Sequence, residues 1–163
     1  MEIRKATPQD FEKMLFIWSE CISATCHFLT TSEIKKLEKI FEEKHLVDPE
    51  IQYFVQAVDG EVFGFACIKG KDLLFSPVDP RLFGKGLGEK MIEFLFREHG
   101  IDTTYVYSSD MHSLAFYTAL GFVVEDKIED IFFDNPYEIN KLKLLISPVE
   151  AADKIAAKGK TPF

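Results

Sequence analysis

The sequence predicts an α+β domain, with a mixed, mostly antiparallel sheet of about seven strands and helices on both faces. Two features predict this architecture. Short segments of alternating apolar and polar residues, joined by tight turns such as Asp59-Gly60, indicate neighbouring antiparallel strands. A helical pattern between the strand-like residues 72–78 and 103–108 indicates a β-α-β unit, whose two strands must be parallel. The predicted order of elements is β-α-α-β-β-β-α-β-α-β-β.

The first strand and the first helix are predicted at the N-terminus. Residues 2–6 alternate in polarity and indicate a strand. Thr7 is the expected N-cap, Pro8 suits the first helical position, and Asp10 lies near the positive end of the helix dipole. Apolar residues then recur at helical spacing over residues 11–22, so we expect an amphipathic helix there.

A second helix and three strands come next. Thr31 or Ser32 can cap the helix, whose apolar face consists of Ile34, Leu37, Ile40 and Phe41. The three strands are predicted at residues 52–58, 61–69 and 72–78, with turns at Asp59-Gly60 and Gly70-Lys71.

The remaining elements alternate between helix and strand. A helix opened by the glycine-rich residues 84–88 runs to about His99 and ends at Gly100. The others are a strand at 103–108, a short helix at 113–120 stopped by Gly121, a strand beginning at 122–124, a turn at 134–136 and a strand at 138–146. We expect residues 1–146 to form a single domain and residues 147–163 to form a C-terminal tail, as a weak helix or a frayed end.

Charge and cysteine content narrow the class of protein. The formal net charge of −8 disfavours nucleic-acid binding and suits a basic partner such as an amine or a Lys-rich peptide, although acidity alone also keeps a protein soluble. None of the three cysteines forms a C-x-x-C pair, so we expect idle thiols in a reducing compartment and no metal site. Because no signal sequence or long apolar run is present, we expect a cytoplasmic protein without a membrane partner.

Three glycines, Gly84, Gly86 and Gly88, precede a predicted helix and follow a predicted strand. Glycines at a helix N-terminus let an anion approach the free backbone amides, and Lys85 could add positive charge there. The alternative is that Gly84 and Gly86 only shape a tight turn while Gly88 permits close packing. The spacing matches neither a P-loop nor a Rossmann G-x-G-x-x-G fingerprint.

Two motifs together resemble those of the GNAT superfamily of N-acetyltransferases. The first is V-D-P-x-x-x-G-x-G-x-G before a helix, from Val78 to Gly88, and the second is A-F-Y-x-x-L-G-F, from Ala115 to Phe122. The block WSECISATCHFL also resembles a bacterial branch of that superfamily. The resemblance extends over residues 2–146 in the order of strands and helices. It implies a GNAT-like fold and acetyl-CoA as the cosubstrate.

The resemblance also implies which residues bind acetyl-CoA. Amides of the glycine segment would hold the diphosphate, and the backbone groups of Ser76 and Val78 would pair with the pantetheine arm. Two residues depart from the family pattern, since Phe83 stands where Arg or Gln is usual and Asp110 stands where Asn is common. The cosubstrate-binding residues implied are Ser76, Val78, Phe83, Gly84, Lys85, Gly86, Leu87, Gly88, Asp110 and Ser113.

Tyr117 matches a tyrosine that lies near the cofactor sulfur in many members of the superfamily. A phenol can donate a proton or a hydrogen bond to the departing CoA thiolate. The alternative is that Phe116 and Tyr117 are a core pair whose hydroxyl is satisfied by the backbone.

The residues that would bind and deprotonate the acceptor amine are the next feature that the resemblance indicates. The resemblance places Trp18, Thr25, His27 and Phe28 in the substrate region, where Trp18 and Phe28 could equally be core residues. His27, Glu33 or a water molecule could take the proton of the attacking amine, although His27 could be structural and Glu33 could stabilise the start of a helix.

We therefore expect an N-acetyltransferase, monomeric or homodimeric, that transfers acetyl directly to a primary amine of a small molecule or a protein in a ternary complex. One alternative is an acyl-CoA-binding regulatory module with little turnover. Another is an unrelated phosphate- or nucleotide-binding protein, for which no Walker or Rossmann signature is present.

Overall fold

The computed structural model describes residues 1–133 and 135–159, and its strands form a seven-stranded sheet. The strands are β1 (Glu2–Lys5), β2 (Gln52–Val58), β3 (Glu61–Lys69), β4 (Asp72–Phe75), β5 (Thr103–Tyr107), β6 (Phe122–Ile128) and β7 (Ile139–Leu144). The α-helices are α1 (Phe11–Thr25), α2 (Thr31–Ile40), α3 (Leu87–His99), α4 (Met111–Ala119) and α5 (Pro148–Gly159).

The order of strands across the sheet is β1-β2-β3-β4-β5-β7-β6. The pair β4–β5 is parallel, and α3 makes the crossover between these strands. The other neighbouring pairs are antiparallel. The predicted mixed, mostly antiparallel α+β architecture is confirmed, including the order of its elements.

The helices cover both faces of the sheet, because β2 and β3 carry apolar side chains on both faces and these must be buried. Phe54 and Ala66 point into a cluster with α3, α4 and α5, whereas Val55 and Phe65 point into a cluster with α1 and α2. Successive residues of a strand face opposite sides of a sheet, so one continuous apolar run supplies both cores. The second core is rich in aromatic side chains, with Trp18 stacked on Phe41 at a centroid distance of 5.0 Å.

Some predicted boundaries were wrong. The cap of α2 is Thr30, not Thr31 or Ser32, because Thr30 Oγ1 accepts from Glu33 N (3.1 Å) and its own N–H donates to Glu33 Oε1 (3.0 Å). This reciprocal pair satisfies two helix-end groups at once. The strand predicted to reach residue 78 ends at Phe75, and the last strand covers only Ile139–Leu144. Asp134, in the predicted turn, lies outside the described residues.

The predicted tail contributes a helix to the core. In α5, Ala151 and Ala152 are buried in the cluster that contains α3, and Arg97 forms a salt bridge with Asp153 at 2.9 Å. The small alanine side chains allow α5 to lie close against the domain. The boundary at residue 146 stays a prediction, but the described part of the tail packs as an ordered helix. Among the described residues, no helix has the length and apolar character needed to cross a membrane.

Asp10 joins β1 to the start of α1. Its carboxylate accepts hydrogen bonds from Arg4 at 2.8 and 3.0 Å and from the Thr7 N–H at 2.8 Å. Thr7 and Pro8 begin a short 3₁₀ turn, Pro8–Asp10, that leads into α1. The Arg4 hydrogen bonds lower the pKa of Asp10 from 3.8 to about 2, against an opposing effect of burial, and Thr7 adds to the lowering.

We expect Asp10→Asn to lower the free energy of unfolding by about 1–2 kcal/mol at neutral pH. A carboxylate whose pKa is lowered on folding stabilises the fold above its unfolded pKa, and this stabilisation disappears as the pH falls through the folded pKa. The difference between the two proteins should therefore be constant above about pH 5 and vanish towards pH 2. Urea unfolding at several pH values measures it, and a difference that persists at pH 2 would contradict the assignment.

Candidate active site

The sheet opens between β4 and β5. The two strands pair only at Asp72–Thr103 and Leu73–Thr104. Beyond this point the chain stays with β3, since Phe65 N donates to Pro77 O (3.1 Å) and Asp79 N donates to Phe63 O (2.8 Å). The backbone beyond β4 thus remains fixed on one side while a gap opens on the other.

After β4, every second residue directs its backbone N–H and C=O groups into this gap. The two bonds to β3 flank Val78, which faces Gly64 in an isolated bridge, so the N–H and C=O of Val78 point away from β3. Ser76 has the same orientation by alternation, as expected from the sequence. The register shift between β3 and β4 falls between Leu73 and Phe75 on β4.

The glycine segment leads into the N-terminus of α3. Gly84 and Gly86 both have φ of 79°, a left-handed conformation that favours glycine. Gly86 is the N-cap and supplies no capping side chain, so the first-turn amides of α3 are open to a ligand. Gly88 has a packing role, because a Cβ there would lie 3.2 Å from Phe116 Cζ. These conformations and this packing are the structural roles considered for the three glycines, and anion binding at the open amides stays a prediction.

A cleft of about 450 Å³ lies between the glycine segment and α4. Phe83 forms part of its wall and stacks on His112 at a centroid distance of 5.0 Å. Two implied cosubstrate residues are not in the lining, since Lys85 is exposed and Asp110 faces a second cavity. The implied residues that line the cleft are Ser76, Val78, Phe83, Gly84, Gly86, Leu87, Gly88 and Ser113.

The second cavity, of about 120 Å³, lies between α1 and the open edge of β4 and β5. Trp18 and Thr25, two of the residues that the resemblance places in the substrate region, line it. Most of its wall is aromatic or aliphatic, and its polar groups are few. The aromatic side chains in the wall are Trp18, Phe75, Tyr105, Tyr107, Tyr117, Phe132 and Phe133.

Three other candidates from the acceptor side lie away from this cavity. His27 is exposed and its Nε2 lies 2.7 Å from Ala24 O, at the end of α1. Phe28 packs edge-on against Tyr107 at 5.6 Å and outside the lining. Glu33 forms the capping box of α2, and the Thr30 N–H lowers its pKa. The structure thus brings neither His27 nor Glu33 to the cavity.

The cleft and the cavity meet at four shared residues: Cys21, Ser76, Ser113 and Tyr117. Tyr117 is only 6% exposed, and burial raises its pKa, with a smaller opposing effect from a hydrogen bond with Thr104. Its hydroxyl therefore stays protonated at neutral pH. Ser76 Oγ is buried at the same junction and has no hydrogen-bond partner among the described residues. A protonated phenol and a residue with an unsatisfied hydroxyl are thus both among the residues that the cleft and the cavity share.

Sequence analysis missed several residues of the cavity. Tyr105 and Tyr107 share one face of β5, and the alternation T-T-Y-V-Y could have indicated an aromatic surface there. Phe132 and Phe133 lie in the loop between β6 and β7, where no periodic pattern gives a signal. Asp130 holds this loop in place, since its carboxylate accepts from the Phe132 and Phe133 amides at 2.8 and 2.9 Å.

A family model and a curated relative match much of this chain. Residues 49–124 match the family model described as an acetyltransferase (GNAT) domain. The peptidyl-lysine N-acetyltransferase YjaB of Salmonella typhimurium is 28% identical over 145 residues, which cover 87% of this chain and 97% of that protein.

Solved structures share the fold. The apo form of YjaB from Escherichia coli has a TM-score of 0.77 and 24% identity, and the match covers 88% of this chain and 97% of that chain. The PaiA N-acetyltransferase of Thermoplasma acidophilum, solved in complex with coenzyme A, has a TM-score of 0.68 and 22% identity, covering 87% of this chain and 98% of that one.

Proposed function

We propose that this chain, which belongs to the GNAT family of acetyltransferases, transfers an acetyl group from acetyl-CoA directly to a primary amine. We propose further that the acceptor is the side chain of a lysine in a peptide or protein. The observation that carries the proposal is the position of Tyr117. Tyr117, whose hydroxyl is protonated at neutral pH, lines both a cleft beside a helix N-terminus and an aromatic cavity.

The larger cleft suits the cosubstrate. The uncapped first turn of α3 can donate backbone hydrogen bonds to a diphosphate, and the helix dipole favours an anion at the same end. The outward-facing backbone groups of Ser76 and Val78 can pair with the amides of the pantetheine arm, as an added strand would. These contacts would bring the thioester to the junction at Tyr117.

Direct transfer is supported by the state of the cysteines near the junction. Burial raises the pKa of the Cys21 thiol to about 11, against a lowering by the Val78 backbone, and raises that of Cys26 to about 12. Neither sulfur is therefore a thiolate at neutral pH. A covalent acetyl-cysteine intermediate requires a thiolate as the nucleophile. In the proposed step the neutral amine nitrogen attacks the thioester carbon, the C–S bond breaks, and Tyr117 donates its proton to the departing thiolate. The nitrogen releases one proton to water as the amide forms, and water returns a proton to the Tyr117 oxygen.

The aromatic cavity supports a lysine side chain as the acceptor. Its wall offers apolar contact to a chain of methylene groups, which lysine has between its backbone and its amine. The relative named above, the peptidyl-lysine N-acetyltransferase YjaB of Salmonella typhimurium, supports the same substrate class. The net charge of −8 also favours approach by basic peptides.

The diphosphate site can be tested by adding one negative charge to it. Leu87 lines the cleft at the first position of α3, where Asp is compatible with a helix. We expect Leu87→Asp to weaken acetyl-CoA binding about 10- to 100-fold relative to Leu87→Asn, because the new carboxylate repels the phosphates. Calorimetric titration of both variants measures the difference. Equal affinities, or a difference that added salt does not reduce, would place the diphosphate elsewhere.

The activity is tested by incubating the protein with acetyl-CoA and a lysine-containing peptide. We expect equal amounts of free CoA thiol and acetylated lysine, and no exchange of labelled CoA into acetyl-CoA when the peptide is omitted. Tight acetyl-CoA binding without turnover on a panel of amines would instead indicate a regulatory acyl-CoA-binding module. Exchange without an amine would overturn direct transfer.

A further inference from the structure

We propose that Asp110 binds the ammonium group of the acceptor and thereby selects cationic amines. This proposal rests on the function proposed above, since it concerns the same cavity. The sequence interpretation assigned Asp110 to the cosubstrate, but in the structure Asp110 lines the aromatic cavity and is not in the lining of the cleft beside the glycine segment.

The backbone around Asp110 fixes its carboxylate in place. Asp110 is the N-cap of α4, and its Oδ1 accepts a hydrogen bond from Ser113 N at 3.0 Å. Its own N–H donates to Tyr107 O at 2.9 Å. The residue is 7% exposed, so the carboxylate is held at the cavity wall with little contact with solvent.

One oxygen of this carboxylate keeps capacity for a ligand. Oδ2 has the Cys26 thiol at 3.6 Å, and a thiol is a weak donor. Among the described residues, no salt bridge involves Asp110. A carboxylate offers about four lone-pair sites, and the cap and the thiol occupy two of them. A buried anion without a cationic partner is a strong receptor for an entering cation.

The composition of the cavity makes Asp110 the natural partner of an ammonium group. Asp110 is the only carboxylate in the described lining, which contains no lysine or arginine. An ammonium group that enters this aromatic cavity loses water, and leaving it unpaired there is unfavourable. Ser76 Oγ, which has no partner among the described residues, is a second polar group available to the ligand. A linear ammonium ligand therefore finds an apolar wall for its stem and an anion for its head.

The chain contains one tryptophan, Trp18, and it lines the cavity, so its fluorescence reports ligand binding there without any acetyl transfer. We would titrate the protein with n-butylammonium and with n-butanol, a neutral ligand of similar length, at constant ionic strength. We expect the wild type to bind n-butylammonium at least about 10-fold more tightly than n-butanol. Asp110→Asn should bind the two alike, because Asn keeps the cap acceptor but removes the charge.

Asp153→Asn is the matched control. It also removes one negative charge, but Asp153 lies on α5 and pairs with Arg97 away from the cavity. This variant should keep the wild-type preference for n-butylammonium. Asp110→Ser, which retains a capping side chain, replaces Asp110→Asn if the latter fails to fold.

A preference for n-butylammonium that survives in Asp110→Asn, or an absence of such a preference in the wild type, would overturn the proposal.

Steady-state kinetics provide a second measurement. Asp110→Asn should raise the KM for the lysine peptide about 10- to 100-fold and change the KM for acetyl-CoA less than about twofold. A preference for n-butylammonium that depends on Asp110, in a wild type that acetylates no amine, would refute the proposed function alone, so the two failures are distinguishable.

Discussion

Tyr117→Phe should lower kcat for acetyl transfer about 10- to 1000-fold and leave acetyl-CoA affinity nearly unchanged. The variant keeps the ring that packs edge-on against Phe116 and Phe122 at 5.0 and 5.8 Å, so the fold should be retained. It removes only the hydroxyl at the junction, which we propose protonates the leaving thiolate. Steady-state kinetics with a lysine peptide and calorimetric titration with acetyl-CoA measure the two quantities.

Tyr53→Phe is the matched control for this experiment. The Tyr53 hydroxyl is also buried and has no hydrogen-bond partner among the described residues, but it lines neither the cleft nor the cavity. Its loss should leave turnover unchanged. Turnover in Tyr117→Phe equal to that of the wild type would remove Tyr117 from the mechanism and favour a purely structural phenol.

The second large effect is on stability. Phe41→Ala should lower the free energy of unfolding by about 3–5 kcal/mol, because the side chain is fully buried and its loss leaves a cavity. Phe41 stacks on Trp18 at 5.0 Å and contacts Phe75 edge-on at 5.9 Å. Both neighbours line the aromatic cavity in which we propose that the acceptor binds, so the variant should also weaken binding of the acceptor. Chemical denaturation measures the stability change.

Phe16→Ala provides the control for burial. Phe16 is 49% exposed on α1, and its ring lies 5.3 Å from Lys13 Nζ. We expect a loss of less than about 1 kcal/mol, since only a surface contact disappears. Similar losses in the two variants would show that Phe41 does not hold the aromatic core together.

Local chemistry allowed much of the fold to be predicted from the sequence. The turn Asp59-Gly60 adopts φ of 50° and 81°, as a two-residue hairpin requires, and β2 and β3 have the predicted bounds. Gly100 ends α3 in the left-handed conformation expected of a helix-terminating glycine. In each case the signal lies within a few residues of the feature it determines.

The remaining features depend on contacts that are distant in sequence. A π-helical turn at Phe41–His45 extends the line of α2. Helical spacing predicted an apolar face that includes Phe41, but nothing local indicated the π-helical turn or the stacking of Phe41 on Trp18. The loop that carries Phe132 and Phe133 reaches the cavity through a hydrogen bond between Tyr107 Oη and Asp130 at 2.7 Å. For Asp110, the sequence identified the residue, but only the fold showed that it lines the cavity with Trp18.

Calorimetric titration of the purified protein with acetyl-CoA, beside a parallel titration with ATP, tests the central claim most directly. The uncapped amides at the start of α3 and the gap beside Val78 together predict saturable binding of acetyl-CoA with one site per chain, and far weaker binding of ATP, which has no pantetheine arm. No binding of acetyl-CoA or CoA at millimolar concentration, or equal affinity for ATP, would contradict it.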